Sequence, residues 1–504
     1  MTSIPAVSER IRWVPRLGQT SQAAAWTFFA FGATQVLRLA SNVLLAHLLF
    51  PEAFGLTAIA GAILAWLQMF SDIGLAPSLV RSARGEDPAF RNTAWTLGVI
   101  RGLILWAFAA ALAYPVGQFY DPQLAKILPV AGSVCLIAAL ASTSLAVLGR
   151  RMHLRGVTLL DLGSTALGIV ITCVWAWLSP TVWSIIGGAL FAAAARTVIS
   201  WMLVPGHRDR FMLEREAVRE IMGFGRWILI STIITFIVLQ ADRLLLGKLF
   251  SIEDLGVYSI AISLVVMPRD LVSRLASAVQ FPMLARTARV EAHSMEAVLA
   301  QTRGPLLLFT LWIMLAIGLG AQSFFNLLYD SRYEQAVWIT QLLCVPIFFG
   351  VVMQTSGYAL LAAGDSRGLA VSNGVRALSV VPACLVGYSL GGLAGFIGGL
   401  AVSAVAGHTA QIVALRRHGL QIAATDAWFV LAFNVLLWGP LWCAWSMPVF
   451  GTWHGIDLTI AALGASVLVP LGIFTAARLR SLLKHRRGAT FPREGHVVPV
   501  IQAE

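Results

Sequence analysis

The chain has 504 residues, of which 58% are hydrophobic and only 12% are charged, and its formal net charge is +12. A typical soluble domain is about 25% charged, so this composition excludes a single water-exposed globule and indicates a polytopic membrane protein. A positive charge can indicate nucleic-acid binding, but here the basic residues are distributed as membrane topology requires. We therefore expect no nucleic-acid partner.

The hydropathy pattern contains about fourteen apolar stretches of roughly 20 residues or more, the length that a helix needs to cross a bilayer. The predicted fold is accordingly all-α, with about fourteen transmembrane helices. Their predicted ranges are 22–49, 56–80, 92–114, 124–148, 158–178, 182–203, 226–247, 255–282, 304–327, 336–362, 369–390, 392–415, 426–447 and 456–477. The first twenty residues lack an apolar core followed by a small-residue cleavage site, so we expect no removable signal peptide.

Lysine and arginine are distributed unequally between the two sets of loops. With both termini in the cytosol, about twenty-six of these residues, including Arg303, lie on inner segments and about three on outer loops, a strong positive-inside asymmetry. The three outer residues are Lys126, Lys248 and Arg332. This pattern predicts cytoplasmic N- and C-termini.

Two segments of the chain resemble each other. Residues 40–60 read ASNVLLAHLLFPEAFGLTAIA and residues 241–261 read ADRLLLGKLFSIEDLGVYSIA, and eight of their twenty-one positions are identical without a gap. The matches include a Glu-x-x-Gly sequence at the same place in the loop, Glu52 and Gly55 against Glu253 and Gly256. The pattern indicates an internal duplication.

An even number of predicted spans separates the two copies, so both run in the same direction across the membrane. Parallel repeats of this kind place a substrate site between two lobes that rock against each other. The predicted organisation is a cytosolic segment 1–21, an N-lobe 22–204 of helices 1 to 6, a cytosolic linker 205–225, a C-lobe 226–415 of helices 7 to 12, an appended helix pair 426–477 and a basic cytosolic tail 478–504.

The linker contains the sequence FMLEREAVREIMGF, which predicts an amphipathic helix lying on the membrane surface. Its predicted apolar face consists of Leu213, Ala217, Val218, Ile221 and Met222. We interpret this helix mainly as a connection between the lobes, with a regulatory role as the alternative.

Seven arginines fall inside the predicted spans, namely Arg38, Arg101, Arg196, Arg243, Arg269, Arg274 and Arg376. A charge near the bilayer midplane costs about 2.5–3.5 kcal/mol on insertion scales, so such residues usually face a watery cavity or a partner. Three aspartates stand against them, Asp72, Asp242 and Asp270, because Asp161 lies close to a span end. A basic interior suits phosphate or uronate groups, which guanidinium binds bidentately, and does not suit a cationic drug.

Arg101, in the middle of the third span, is the best candidate for a cavity residue. Gln35, Arg38 and Asn42 are spaced by three and four residues, so they share one helix face that must point away from lipid. A hydrogen-bond network between helices, without any substrate, is the alternative explanation. Ser41 and Asn42 correspond to Asp242 and Arg243 in the second copy.

The remaining charged residues are more ambiguous. Arg376 and Arg196 are close enough to the inner face to extend towards water. In the eighth span, Asp270 and Arg274 form an i, i+4 pair that can neutralise itself, which leaves Arg269 for a ligand, and Pro268 is expected to kink this helix. Asp72 and Asp242 are candidates for balancing the arginines or carrying a coupling ion.

Cysteine and histidine give no sign of a metal or cofactor site. All five cysteines lie in predicted spans without metal-ligand spacing, so we expect them to pack as small apolar side chains. They are Cys135, Cys173, Cys344, Cys384 and Cys443. The nine histidines form no ligand-spaced cluster, and the sequence contains no phosphate loop for ATP.

Three stretches carry a resemblance to a known family: FGLTAIAGAILAWLQMFSDIGLAPSLVR, FGRWILISTIITFIVLQADRLLLGKLFSIEDLGVYSIA, and QFPMLAR at 280–286. The chain resembles bacterial polysaccharide transporters of the O-antigen flippase type, within the multidrug/oligosaccharidyl-lipid/polysaccharide exporter superfamily. This resemblance extends over residues 20–415. It implies two six-helix lobes around a central cavity, and movement of a polyprenyl-diphosphate-linked oligosaccharide across the bacterial inner membrane, coupled to protons or sodium ions. Polysaccharide polymerase or export machinery is a possible partner.

Other functions remain open at this point. Members of this family commonly have about twelve spans, and fourteen are typical of the lipid II flippase branch, which would carry a peptidoglycan precursor. A multidrug exporter of the same superfamily is disfavoured by the basic interior. An envelope polymerase or ligase would be expected to carry catalytic groups on a large outer loop, whereas the predicted outer loops are short, so we expect no enzymatic activity. A membrane scaffold without transport is the remaining alternative.

Overall fold

The computed structural model describes residues 17–446, except 72–74, 76–78, 80–83, 85–86, 151–153, 203–208, 222–241 and 291–294. Every regular element in this part of the chain is helical, which confirms the predicted all-α fold. The predicted spans 226–247 and 456–477 lie largely or wholly outside the described residues, as do Asp72 and Met222.

The helices are α1 (Leu17–Leu48), α2 (Pro51–Phe70), α3 (Pro88–Phe119), α4 (Leu124–Ala139), α5 (Ser144–Arg150), α6 (Leu154–Leu178), α7 (Val182–Met202), α8 (residues 215–221), α9 (residues 242–249), α10 (Ile252–Leu275), α11 (Phe281–Val290), α12 (Met295–Leu328), α13 (Ala336–Ala362), α14 (Ser366–Arg417) and α15 (Ala423–Ser446). A π-helical turn, Ala276–Gln280, joins α10 to α11. Nine helices of the described chain are long and apolar enough to cross a membrane. The number of fourteen spans stays a prediction.

Large apolar side chains are exposed along the outer helices, as expected where lipid replaces water. On α3 these include Ile100, Leu103, Ile104 and Phe108. A soluble monomer rarely exposes a contiguous apolar surface of this kind. The protein is therefore a multi-pass membrane protein.

The long helix α14 contains a reversal that separates two predicted spans. Gly391 and Gly392 have non-helical backbone angles, and Gly392 has a φ of 56°. A positive φ of this size is readily adopted only by glycine. The break falls between the predicted spans 369–390 and 392–415, so the sequence placed this turn correctly.

The predicted span 124–148 is interrupted, and this part of the prediction is wrong. The helix α4 ends at Ala139 and α5 starts at Ser144. Between them, the hydroxyl groups of Ser142 and Thr143 and the Thr143 backbone N–H all donate to the buried carboxylate of Asp209. Serine and threonine that bind a nearby carboxylate in this way compete with helix formation.

The linker segment after Asp209 lies against α3. The backbone N–H groups of Met212 and Glu214 donate to Thr96 Oγ1 and Thr93 Oγ1, both at 3.0 Å. In α8, Ala217 and Ile221 are fully buried, in a cluster with Leu79, Phe90 and Ala94. These two members of the predicted apolar face therefore pack on protein, which corrects the expectation that the face lies on the membrane.

The chain divides into two compact units. The first comprises Met1–Met267, Ser323–Pro346 and Val371–Gly407, and the second Pro268–Gln322, Ile347–Ala370 and His408–Glu504. The first unit contains segments from both predicted lobes. The division into lobes at 22–204 and 226–415 stays a prediction.

Within the first unit, the duplicated segments meet each other reciprocally. A Cβ atom added to Gly55 in α2 would collide with the carbonyl group of Ile252, and one added to Gly256 in α10 would collide with that of Pro51. Gly256 lies 201 positions after Gly55, and Ile252 lies 201 positions after Pro51. This is the offset between the two copies of the repeat. The two glycines therefore allow equivalent helices to cross at backbone contact, as a two-fold relation between copies requires.

Two of the three predicted outer basic residues bind helix ends near this crossing. Arg332 donates to the carbonyl oxygens of Ala46 and Leu49, at 3.1 and 3.3 Å, at the end of α1. Lys248 donates to the carbonyl oxygen of Phe119, at 3.1 Å, at the end of α3. A positive charge at a helix C-terminus stabilises the exposed carbonyl groups and the helix dipole.

Candidate functional site

The polar face of α1 turns towards the protein at both ends. Gln35 is buried, and Asn42 donates a hydrogen bond from Nδ2 to Ser263 Oγ of α10 at 3.1 Å. Arg38 lies between them and is exposed. A hydrogen bond between helices, as in the alternative explanation for this face, is therefore present at Asn42, and the role of Arg38 stays a prediction.

Arg101 is half-buried and directed at the end of α2. Its Nε donates to Ser71 Oγ at 3.0 Å, and its Nη2 donates to the carbonyl oxygen of Gln68 at 2.7 Å. Ser71 and the Gln68 backbone carbonyl group are neutral partners. Ile104 and Phe108, one and two turns further along the same side of α3, are exposed, so Arg101 lies beside the apolar surface of this helix.

Arg196 is paired with an acid that the sequence analysis had set aside. Its Nε lies 2.8 Å from Oδ1 of Asp161, and both side chains are partly exposed. Asp161 looked too close to a span end to count, but α6 and α7 bring the two residues together. The ion pair reduces the excess of positive charge that the sequence predicted.

Asp270 binds its chain neighbour Arg269. Arg269 Nη2 lies 3.0 Å from Asp270 Oδ1, and its Nε donates to the same oxygen at 3.2 Å. The expectation that Arg269 is left unpaired is therefore wrong, because two side chains adjacent in sequence curl towards each other here. Arg274 is exposed on the same helix.

Asp242 is buried in the first unit with only one of its two carboxylate oxygens hydrogen-bonded. Tyr258, fully buried in α10, donates its hydroxyl to Asp242 Oδ2 at 2.8 Å. Within the described residues, Asp242 Oδ1 is buried without a hydrogen-bond partner. Such an atom is costly unless a proton, a cation or water reaches it, so the surroundings of Asp242 suit the predicted ion-coupling role.

For the other predicted site residues, the structure gives mainly the degree of burial. Arg243 and Arg376 are half-buried, on α9 and α14. In the described part of the chain, Cys135, Cys344 and Cys384 are buried free thiols and Cys173 is half-buried, as expected for packing residues. The common chamber that would join Arg38, Arg101 and Arg269 stays a prediction.

One buried group of charged residues was not predicted from the sequence. Arg303, His408 and Asp426 are 3%, 6% and 2% exposed and come from α12, α14 and α15. Arg303 had been assigned to a charged inner segment, but α12 starts at Met295 and includes it. The signal in the sequence was Asp426, a single acidic residue in the first turn of the apolar helix α15. No basic residue lies beside it in the sequence.

Outside the membrane, a second charged group fixes the linker to the first unit. Arg84 Nη2 lies 2.8 Å from Asp87 Oδ2 and 2.8 Å from Glu214 Oε2. The Arg84 guanidinium, together with the Ala89 backbone N–H, lowers the pKa of the Asp87 carboxyl below its usual value. These contacts hold the start of α3 next to the linker.

The fold is similar to the folds of two solved transporters. The chain is similar to the lipid II flippase MurJ in an inward closed conformation, with a TM-score of 0.69 and 13% identity, over 92% of this chain and 100% of that one. It is also similar to an inward-facing multidrug resistance MATE family transporter of the MOP superfamily, with a TM-score of 0.57, over 77% and 95%. At this identity the likeness shows the fold alone.

The sequence shows the family. A model of the family described as "polysaccharide biosynthesis protein" matches residues 44–338, more than half of the chain. The chain belongs to this family, which confirms the resemblance to polysaccharide transporters. The matched region includes residues 44–60 of the first repeat copy and the whole of the second copy, 241–261.

Curated relatives agree with this assignment. The chain is 21% identical to the lipopolysaccharide biosynthesis protein WzxC of Escherichia coli (strain K12) over 388 residues, which cover 75% of this chain and 77% of WzxC. It is 25% identical to the succinoglycan biosynthesis transport protein ExoT of Rhizobium meliloti (strain 1021) over 281 residues. That alignment spans 55% of this chain and only 56% of the length of ExoT.

Proposed function

We propose that this chain is a flippase that moves a polyprenyl-diphosphate-linked oligosaccharide across the bacterial inner membrane by alternating access. The observation that carries the proposal is membership of the polysaccharide biosynthesis family through a region that contains most of the first repeat copy and the whole of the second, whose helices cross at Gly55 and Gly256. Two related halves in contact are what rocking between inward- and outward-facing states requires. The protein would act without covalent chemistry, with both termini in the cytoplasm.

The proposed contacts to the diphosphate are the arginines within the spans. Arg101 comes first, because it lies near the middle of the long apolar helix α3 and donates to Ser71 and to the carbonyl oxygen of Gln68. Arg38, Arg243 and Arg376, with Asn42 nearby, are the next candidates. Arg196 and Arg269 already bind carboxylates, so a phosphate group would have to displace Asp161 or Asp270 to use them. Guanidinium binds phosphate oxygens bidentately, so lysine is not an equivalent replacement.

The acids would balance these charges or couple transport to an ion gradient. Among the acids predicted from the sequence, Asp242 is the strongest candidate for coupling, since its Oδ1 is buried without a hydrogen-bond donor in the described part of the protein. Asp270 and Arg274 on α10 and Asp72 near the end of α2 complete the predicted set. A polysaccharide polymerase or export machinery would receive the product.

The test is polysaccharide export by Arg101→Ala in a host that depends on this gene. We expect export of the surface polysaccharide to be lost while the amount of folded protein in the membrane stays normal. Arg210→Ala is the matched control, because Arg210 is an exposed arginine of the linker. Wild-type export by Arg101→Ala would remove Arg101 from the proposed site.

Two related functions would give different results. A peptidoglycan-precursor flippase would be essential for growth, and its loss would stop cell-wall synthesis before any change in surface polysaccharide. A multidrug exporter would alter resistance to cationic drugs and leave the polysaccharide unchanged. The family match favours the polysaccharide over both.

A further inference from the structure

The second compact unit contains a buried triad formed by Arg303, His408 and Asp426. Asp426 comes from α15, the first helix beyond the predicted duplication, and the other two residues come from α12 and α14. All three are more than nine-tenths buried. Burying ionisable groups is costly unless each finds a partner, so the partners of each residue indicate what the triad does.

Arg303 is fully engaged by fixed partners. Its Nε donates to Thr355 Oγ1 at 3.0 Å and its Nη2 to the carbonyl oxygen of Val352 at 2.8 Å, while its Nη1 pairs with Asp426 Oδ1. All three donor nitrogens are therefore used, on two neighbouring helices. Since arginine stays protonated in proteins, Arg303 supplies a permanent, immobile positive charge.

His408 is close to Asp426 but is not held in the same way. Its Nε2 lies 3.0 Å from Asp426 Oδ2. In the described part of the protein, however, neither ring nitrogen nor Asp426 Oδ2 has a partner in hydrogen-bond geometry. In a neutral imidazole that carries its proton on Nδ1, the two unprotonated atoms Nε2 and Oδ2 repel each other at this distance, and a proton added to Nε2 removes that repulsion.

The charge of the triad depends on that proton. With a neutral imidazole, Arg303 and Asp426 cancel and the triad is neutral. When a proton is added to Nε2, the triad carries one positive charge in a buried site. The carboxylate favours this added charge, while burial and Arg303 oppose it.

We propose that His408 and Asp426 form a proton-binding site, with Arg303 as its fixed counter-charge, through which the proton gradient acts on the transporter. The proton enters at His408 Nε2 from water and leaves to water, so one proton is taken up and released in each cycle. The role in transport rests on the flippase function proposed above. The site gives the appended helix α15 a function, because only that helix supplies the carboxylate.

Among the described residues, few other charges surround His408. From α15 it faces Asp426, and behind that carboxylate lies Arg303 of α12. On its own helix the neighbouring polar residue is Gln411, whose Oε1 accepts a hydrogen bond from Ser356 of α13. Arg416 and Arg417, two turns further along α14, are exposed.

The first test measures protonation directly and needs no substrate. Full-length protein with isotope-labelled histidine is placed in lipid nanodiscs, and the His408 signal is identified by its absence in His408→Gln. We expect the His408 ring to take up a proton as the pH is lowered from 8 to 5. We also expect this titration to move in Asp426→Asn. A His408 ring that keeps one protonation state throughout would overturn the proposal.

His418, the residue directly after the end of α14, provides a matched control. Its Nε2 lies 3.0 Å from Asp365 Oδ2, but both side chains are partly exposed. In cells, His408→Gln should lose the part of polysaccharide export that a protonophore abolishes in the wild type, while His418→Gln should keep it. Equal loss in both variants would contradict a specific role for His408.

The two measurements separate the site from the function. If His408 titrates but the wild type exports no polysaccharide, the proton site stands and the flippase function falls. If export is normal and protonophore-sensitive in His408→Gln, the flippase function stands and the proton site is not the coupling site.

Discussion

Asp209 and Asp242 are both buried carboxylates of the first compact unit, but their surroundings differ. Asp209 accepts three hydrogen bonds, from Ser142 Oγ, Thr143 N and Thr143 Oγ1, and Arg91 Nε lies 3.8 Å away. From the described residues, Asp242 accepts one, from Tyr258. A fully bonded carboxylate stabilises the fold, whereas one with an unbonded oxygen leaves room for a proton or cation.

The two carboxylates differ in the role that their surroundings suit. Asp209 fixes the linker to the turn between α4 and α5, outside the set of charged residues that the sequence singled out. Asp242 was singled out, and its surroundings support that choice. The number of donors around a buried carboxylate therefore distinguishes the two better than burial does, because both are less than a tenth exposed.

The largest effect is expected from Asp209→Ala. The change removes the acceptor for Ser142 and Thr143 and leaves Arg91 without its nearby acid. Removing one member of a buried charged group typically costs about 3–5 kcal/mol. We expect a marked loss of folded protein, measured by thermal melting and by the yield of monodisperse protein in detergent.

Asp242→Asn is the comparator for that variant. Its side-chain oxygen can still accept from Tyr258, so the loss of stability should be about 1 kcal/mol or less. If both variants were equally destabilised, the number of hydrogen-bond donors would not explain the difference between the two sites.

A smaller effect is expected where α2 and α10 cross, next to the Tyr258 that binds Asp242. Gly55→Ala and Gly256→Ala each place a methyl group against the backbone of the other helix. Overpacking of this kind costs about 1–3 kcal/mol. Because the contacts are reciprocal, the two variants should lower the melting temperature by similar amounts.

Gly61→Ala is the control on the same helix. A Cβ atom there meets no heavy atom within 4 Å, and alanine is the better helix former by about 1 kcal/mol. This variant should be neutral or more stable. A large effect in only one of the Gly55 and Gly256 variants would argue against a two-fold relation between the copies.

The smallest effect concerns Asp365, a carboxylate outside the spans. Its hydrogen bond from the Gly368 backbone N–H, and then its pairing with His418, lower the pKa of Asp365 below the ordinary 3.8. Its stabilising contribution is therefore complete above pH 3.8 and is lost as the pH falls through the lower, folded-state pKa. The melting-temperature difference between wild type and Asp365→Asn should shrink as the pH is lowered from 6 to 3.

Asp365 is a useful contrast to the buried Asp209, because Asp365 is partly exposed and water can replace its hydrogen-bond partners. If Asp365→Asn destabilised the protein as much as Asp209→Ala, burial would not be what makes the Asp209 contacts important. A difference between wild type and Asp365→Asn that grows on acidification would contradict the direction of the pKa shift.

Part of the fold was accessible from the sequence. Apolar stretches long enough to cross a bilayer predicted the all-α fold, and the Glu-x-x-Gly repeat identified Gly55 and Gly256, whose helices do cross. The first feature depends on local composition, and the second depends on a repeat that can be read directly from the amino-acid sequence. The break at Ser142 and Thr143 was not predicted, because it depends on a carboxylate more than sixty residues away in sequence.

The sequence by itself determined the class of this protein: an all-helical, multi-pass membrane protein of the polysaccharide transporter type, with charged residues inside its helices. Only the tertiary structure decided which charges meet. It paired Arg196 with Asp161 and Arg269 with Asp270, and it brought Arg303, His408 and Asp426 together from three helices. Hydropathy is a property of each segment, whereas the partner of a buried charge depends on which helix faces are adjacent after folding.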